Sequence, residues 1–384
     1  MTTEKQVSIS KKIRVGILFG GKSAEHEISI LSAQNIVEAL DTEKFDLTFI
    51  HIDKTGQWFL SSSAPSSLQK PLSDKTEGRT NNRQIPLKIA MGKGRQAIST
   101  DCDQPESVVL DVVFPVLHGP MGEDGTVQGL LKLAGLPFVG SDVLGSAVGM
   151  DKDVMKRLLQ QAGLPVLPWI CLNRRGNEGH GKYSDILEEL GPRVFIKPAN
   201  MGSSIGVNQA ENSGQLKDGI EEAFLFDHKV IIEKGEKVRE IEVAILDGNP
   251  PRASTVGEIV PKQEFYSYQA KYIDQDGAEL LIPARLSEGQ IQEVQELAFR
   301  SFEVLEAKGL ARVDFFLTPD GRFWINEINT MPGFTKISMY PSLWMASGLT
   351  YRELIEKLLF IAIEKSDKDG SLLVEYQKDI KARQ

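Results

Sequence analysis

The chain is expected to be an α/β protein whose N-terminal domain carries a doubly wound parallel sheet, and three observations predict it. A strand over residues 13–19, a Gly20-Gly21 turn, an amphipathic helix over about 29–40 and a strand over 45–52 follow in βαβ order. A buried-type apolar run, VVLDVVFPV, then delivers His118-Gly119 to a loop before a helix capped near Asp124 or Thr126. With 384 residues, 41% hydrophobic and 25% charged, the chain has enough apolar material for two or three domains. The glycine turn would bring backbone N–H groups and a helix N-terminus to an anionic ligand.

A net charge of -9 argues against general nucleic-acid binding. The two cysteines, Cys102 and Cys171, form neither a CxxC pair nor a zinc-type cluster, so a disulfide scaffold and structural zinc are both disfavoured. The N-terminal MTTEKQVSISKKIRV lacks the apolar core of a signal peptide, and no uncharged run is long enough to span a bilayer. The expected location is the cytoplasm, without membrane partners. Residues 61–106 are rich in Ser, Pro, Lys and Asn with short apolar pieces, and they read as an insertion or excursion.

One motif misleads. Residues 16–23, GILFGGKS, match the Walker A spelling GxxxxGK[ST]. In a P-loop the strand ends before the first glycine, so that the intervening residues cradle phosphate. Here Ile17, Leu18 and Phe19 continue the strand. The P-loop kinase reading therefore requires Lys22 to be indispensable, and nothing else supports it.

Better nucleotide candidates lie in the middle of the chain. A helix follows Met150-Asp151-Lys152, and a strand over 194–196 delivers Lys197-Pro198 to the small-residue loop NMGSSIGV. Such a loop can close over phosphates while Lys152 and Lys197 supply charge. Next, VIIEKGEKVREIEVAIL reads as two strands placing Glu233 and Glu240 where they could accept from an adenine amine and ribose hydroxyls. Each such residue alone is more often a surface group; the order of the pieces gives them weight.

Near the C-terminus ARVDFFLTPDGRFWINEINTMPG reads as two strands joined at Asp320-Gly321. A two-residue turn would set Asp314 opposite Glu327 and Arg312 opposite Asn329, with Phe316, Phe323 and Ile325 on the same face. Two carboxylates and an amide oxygen are hard ligands suited to Mg2+, and Arg312 implies a negative charge to be stabilised. The plain alternative is the wet face of an ordinary hairpin.

These residues carry a resemblance. The chain resembles D-alanine:D-alanine ligases of the ATP-grasp superfamily in GGKSAEHE at 20–27, His118-Gly119 through Glu123-Asp124-Gly125, Gly202-Ser203-Ser204, EFYSYQAKY at 264–272, the hairpin, and NTMPGFT at 329–335. The motifs run in order from about residue 13 to 350. The resemblance implies an ATP-grasp fold: an N-terminal substrate-binding domain over 1–149, a central subdomain over 150–235 and a C-terminal subdomain over 236–384. The last two are α+β and enclose ATP, with a lid near 260–280 and a metal-binding hairpin at 311–330. Residues 61–106 and the tail beyond about 366 are not carried by it.

The same resemblance implies the roles. Two Mg2+ or Mn2+ ions would be held by Asp314, Glu327 and Asn329. ATP would meet Lys152, Lys197 and Lys271 at its phosphates, Glu233 near adenine and Glu240 near ribose. Glu25 would receive the ammonium of the first D-alanine and His118 its carboxylate, while Ser338 would bind the second carboxylate. Arg312 and the Gly333 N–H would meet the oxyanion, and Tyr272 would link through Ser203 to Glu25. Tyr266, Tyr268 and Tyr272 also fit the period of a strand stripe, and Glu25-His26-Glu27 fits a charged helix start. The implied reaction is ATP-dependent ligation of two D-alanines for peptidoglycan precursors, by a homodimer. A D-alanine:D-lactate ligase, another ATP-grasp carboxylate ligase and a nucleotide-binding protein without turnover remain open.

Overall fold

The first strand, β1 (Ile13–Gly20), is buried from Val15 onward. A strand apolar on both sides has to be covered on both faces, which places it at the centre of a sheet. It pairs in parallel with β2 (Phe45–Ile52) and β7 (Val112–Val116). The computed structural model describes residues 12–68, 84–174, 183–261 and 278–372.

The parallel arrangement does not extend through the sheet. Beyond β2 come β3 (Trp58–Ser61), β4 (Gln84–Ile89), β5 (Ile98–Thr100) and β6 (Ser107–Val108), all antiparallel, in the order β6-β5-β4-β3-β2-β1-β7. The stretch expected to be an excursion thus adds strands to the first sheet. Its low apolar content has a physical reason: an outlying antiparallel sheet can leave one face wet, and β4 has no fully buried residue.

Two helices cover this sheet from opposite sides. α1 (His26–Ala39) sets Ile30, Ala33 and Ile36 in a core with Val15, Ile17 and Phe19. α2 (Thr126–Ala134) sets Val127 and Leu131 against Leu18, Ile50 and Val113. The α1 helix begins at His26, earlier than its apolar pattern suggests. Its N-cap residue, Glu25, makes no side-chain capping bond, because that carboxylate is turned elsewhere.

After α3 (Val143–Met150) and α4 (Lys152–Gln161), a second sheet forms from β8 (Trp169–Asn173), β9 (Val194–Pro198), β10 (Asn208–Ala210) and β11 (Lys229–Lys234). Helices α5 (Tyr183–Leu190) and α6 (Ser213–Ala223) bury Ile186, Leu216 and Ile220 against it. The third sheet holds β12 (Arg239–Leu246), β13 (Arg252–Pro261), β14 (Ala278–Leu281), β15 (Leu310–Leu317) and β16 (Phe323–Asn329) in the order β14-β13-β12-β15-β16. Beneath it lies α7 (Glu288–Val304), started by a capping box of Ser287 and Gln290.

Each sheet is thus drawn from its own stretch of chain, and the chain then returns. Helices α8 (Met339–Ala346) and α9 (Tyr351–Gly370) carry Tyr340, Trp344, Ile355, Leu358 and Leu359 into one core with Val15, Ile17 and Phe114 of the first sheet and Leu246 and Ile259 of the third. Phe334, fully buried, stands edge-on to Phe114 at 5.5 Å and to Tyr340 at 5.7 Å. It joins the first sheet to the segment that follows β16. Phe334→Ala is expected to cost about 3–5 kcal/mol, read as a lower unfolding midpoint in denaturant, whereas Leu225→Ala at an exposed position should shift it little.

Candidate functional site

The hairpin β15/β16 pairs Arg312 with Asn329 and Asp314 with Glu327, the pairing expected from a two-residue turn. Past Asp314 the register slips, so that Phe315 faces Ile325, Phe316 faces Trp324 and Leu317 faces Phe323. Asn326 is the extra residue of a bulge. Phe316 therefore stays on the charged face, but Phe323 and Ile325 do not: both are buried with Val313 and Phe315 against α7. The expected two-residue turn is also replaced by a longer loop, in which Thr318 N donates to Arg322 O at 3.0 Å and Gly321 takes φ +83°. A bulge shifts strand parity by one, which compensates for the longer loop and keeps the acidic pair aligned.

On the charged face Arg312 lies between carboxylates. Its Nε and Nη2 donate to Asp314 Oδ1 and Oδ2, each at 2.7 Å, and Nε lies 2.8 Å from Glu242 Oε2. Burial disfavours the guanidinium charge, but Asp314, Glu242 and then Glu327 more than compensate and raise its pKa further. Asn329 Nδ2 donates to Asp314 Oδ2 at 3.0 Å. Glu327 meets Lys152 at 3.2 Å, and the same ammonium donates to Met201 O at 2.7 Å, tying the small-residue loop to the hairpin.

Glu242 is absent from the residues that the sequence singles out. A signal exists: in the alternation of REIEVA, Glu240 and Glu242 share one face of β12, while Ile241 and Val243 are buried on the other side. β12 sits beside β15 and pairs Glu242 with Asp314, so Glu242, Asp314 and Glu327 form a row across three strands. Glu240 pairs with Phe316.

The loop after β9 is held in an unusual conformation. Ser203 and Ser204 have φ of 54° and 59°, the left-handed region that residues with a side chain seldom adopt. The turn lets Ser203 Oγ donate to Glu25 Oε1, across from the second sheet to the first helix. Gly119, at φ +76°, lies so close to Glu25 that a Cβ there would stand 3.1 Å from Oε2. His118 is buried beside it, with Nδ1 3.3 Å from Glu123 Oε1 and 3.2 Å from Met331 O. Burial lowers the imidazole pKa, but Glu123 and, more weakly, Glu25 outweigh it and raise it.

A second charged group lies between the second and third sheets. Glu233, only 1% exposed, pairs with Lys156 and, at 2.6 Å, with Lys197. Burial would raise its carboxyl pKa, yet the two ammoniums hold it down to about 2. Lys197 also donates to Asn326 Oδ1 at 3.2 Å and lies 5.5 Å from the centre of the Phe316 ring. Lys156 is a further residue that the sequence reading misses, although it follows Lys152 by four residues and so shares its helix face.

One cavity of about 240 Å³ gathers most of these groups. Glu25, His118 and Ser203 line one side, and Arg312, Glu327 and Asn329 another. Gly333 and Ser338 close the end. A Cβ on Gly333 would come 2.8 Å from Ser338 Oγ, which accepts from Thr335 N at 3.0 Å. Asp314 is not among the lining but is bonded to Arg312 and Asn329, which are, and Lys152, Lys197, Glu233 and Glu240 are not among the lining. Lys271 and Tyr272, with Tyr266 and Tyr268, lie outside the described residues. Lys22 is exposed and is not among the lining of the cavity. β1 runs through Gly20, so the residues after Gly16 are strand, and Gly16 serves packing: a Cβ would stand 2.7 Å from Leu110.

Comparison with known proteins agrees with this architecture. The D-ala D-ala ligase N-terminus family model matches residues 14–141, and the D-ala D-ala ligase C-terminus model matches residues 158–360. A D-alanine--D-alanine ligase of Shouchella clausii is 52% identical over 94% of this chain and 97% of its own. Among solved structures, the D-alanine-D-alanine ligase from Coxiella burnetii has a TM-score of 0.82 at 36% identity, covering 94% of this chain and 97% of its own. The VanG D-Ala:D-Ser ligase from Enterococcus faecalis has a TM-score of 0.81 at 33% identity, covering 92% and 100%. With both halves matched by the family models and the site on the page, the chain belongs to the D-alanine–D-alanine ligase family.

Proposed function

We propose that the protein joins two D-alanines with ATP to form D-alanyl-D-alanine for peptidoglycan precursors. The observation that carries this reading is the cavity in which Glu25 shares the lining with Arg312, Glu327 and Gly333. A zwitterionic amino acid needs an anion for its ammonium and cations for its carboxylate. Glu25, held by Ser203, is the anion, and His118 lines the same cavity with its imidazole pKa raised by Glu123, so that a carboxylate beside it would further favour the protonated ring. The carboxylate of the first D-alanine attacks the γ-phosphorus of ATP, releasing ADP and leaving an acyl phosphate. Lys152 and Lys197 are assigned to the phosphates, where charge must be met, so catalysis here is positioning and neutralisation. The amine of the second D-alanine, its carboxylate at Ser338, then attacks the acyl carbon. Arg312 and Gly333 N–H stabilise the tetrahedral oxyanion, and its collapse expels phosphate. Glu240 is assigned to ribose, and Glu233 both borders the adenine end and fixes Lys197. Lys271 and Tyr272 are assigned to the lid by resemblance.

The donor set fits a hard divalent ion: two carboxylates and an amide oxygen meet across the β15/β16 ladder, and both carboxylates lie against cations of the chain itself. Asp314, Glu327 and Asn329 would hold the two Mg2+ or Mn2+ ions, which when bound neutralise phosphate charge. A homodimer in the cytoplasm follows from the resemblance, and among the described residues no helix is long and apolar enough to cross a membrane.

Purified protein with ATP and Mg2+ should release phosphate with D-alanine and not with L-alanine, and the product should be the dipeptide. Asp314→Asn or Glu327→Gln should lower turnover about a hundredfold or more, with the fold retained by circular dichroism; near-normal ligation by either removes that residue from the metal set. For the nucleotide, Lys22→Ala should leave ATP affinity within a few-fold while Lys197→Ala weakens it strongly. The reverse ordering, measured by calorimetry, would restore the P-loop reading.

The likeness to a D-Ala:D-Ser ligase makes the second substrate the specific alternative. A site built around an amine should disfavour D-lactate, whose hydroxyl is the poorer nucleophile unless a base takes its proton. With D-alanine, D-serine and D-lactate competing near neutral pH, D-alanyl-D-alanine should be the main product. Tyr272→Phe should raise the share of depsipeptide. Predominant D-alanyl-D-serine or depsipeptide from the unmodified protein overturns the substrate assignment, and an unchanged share in the variant removes only the role of Tyr272.

A further inference from the structure

The geometry assigns Glu242 as the residue that keeps Arg312 in place when a divalent ion takes Asp314. The inference rests on the proposal that Asp314 binds such an ion. Arg312 Nε donates to Asp314 Oδ1 at 2.7 Å and lies 2.8 Å from Glu242 Oε2. Nε carries one hydrogen, which cannot be aligned on both carboxylates. The Nη2 donor is also on Asp314, at 2.7 Å. Both oxygens of Asp314 are thus engaged by the guanidinium, and Oδ2 receives Asn329 Nδ2 as well. These donors occupy most of the lone-pair sites of the carboxylate, so an ion that coordinates Asp314 competes with Arg312 for its oxygens and, as a second cation, repels the guanidinium.

Released from Asp314, a guanidinium whose side chain is only 18% exposed needs another carboxylate at hand, because a partly desolvated charge left without one is costly. Glu242 meets that need. It is 5% exposed, lies on the neighbouring strand in register with Asp314, and lines the cavity beside Arg312. Turning the Nε–H from Asp314 to Glu242 requires no movement of the backbone, since both oxygens are already at contact distance. Glu327 cannot replace it, because Glu327 faces Lys152 and belongs to the same proposed metal set. Glu242 is therefore a positioning residue: it acts through Arg312, and it couples metal affinity to the placement of the oxyanion donor.

The test is a double-mutant cycle read by Mn2+ binding, followed by electron paramagnetic resonance on the full chain with a non-hydrolysable ATP analogue. Glu242→Gln should weaken Mn2+ binding about tenfold, within the coupling range of contacting charged residues. In an Arg312→Met background, where there is no guanidinium to retain, the same change should cost little. Glu242→Asp, which keeps the charge, should recover part of the loss, and Glu242→Ala takes the place of Glu242→Gln in the cycle if that variant does not fold. Equal losses in the two backgrounds, or no loss in either, overturn the inference. Failure of the underlying metal assignment looks different: Asp314→Asn would then leave Mn2+ binding unchanged.

Discussion

The Arg312 guanidinium is largely withdrawn from water, its side chain 18% exposed at the edge of the cavity, with Asp314 and Glu242 against it, and desolvating a charge is costly unless partners compensate. The compensation runs across three strands: Glu242, Asp314 and Glu327 stand in one row because β12, β15 and β16 are in register there. Lys152 closes the row at the other end. Like carboxylates at this spacing repel each other unless cations lie among them, so the strands and the charges specify one another. A register slip by one residue would turn the row to the apolar side, where Val313, Phe315 and Ile325 now pack.

Function and fold meet again in the helix that starts at His26. A helix N-terminus ordinarily gains from a side-chain cap, and Glu25 provides none. Its carboxylate accepts from Ser203 instead, inside the cavity. The loop carrying Ser203 in turn holds two non-glycine residues at positive φ. Local stability is given up at both ends of that one hydrogen bond, and the well-packed core around Phe334, Tyr340 and the first sheet makes such losses tolerable.

Much of this is legible in the residues. Period two in ARVDF and NEIN puts Arg312 with Asp314 on one face and Glu327 with Asn329 on one face, whereas their cross-strand pairing, expected from a two-residue turn, holds only because the longer loop and the bulge at Asn326 offset each other. The same logic fails for Phe323 and Ile325, since a bulge at Asn326 resets the parity and nothing local announces it. The antiparallel extension at β4 to β6 is hidden for another reason: strands with a wet face carry few apolar residues and resemble loop. Glu242 and Lys156 are visible as alternation and helix spacing, but their importance lies in partners brought from distant parts of the chain. Those partners, Arg312 and Glu233, appear only once the sheets are assembled.

The Lys156–Glu233–Lys197 group shows why a buried ion pair can persist without being the most stable solution. Replacing such a group by apolar side chains is often neutral or stabilising, so stability alone does not explain it. What the group provides is direction. Glu233 belongs to the second sheet, and Lys197 reaches from it to Asn326 on the third, with Phe316 alongside. Lys156 pins the far side of the carboxylate from α4. An ammonium held from three sides is fixed by the fold itself, and the cost of ordering it is met in folding. The bulge that defeats the simple face assignment is the same feature that points Asn326 at Lys197, so the irregularity in the strand serves the site it adjoins.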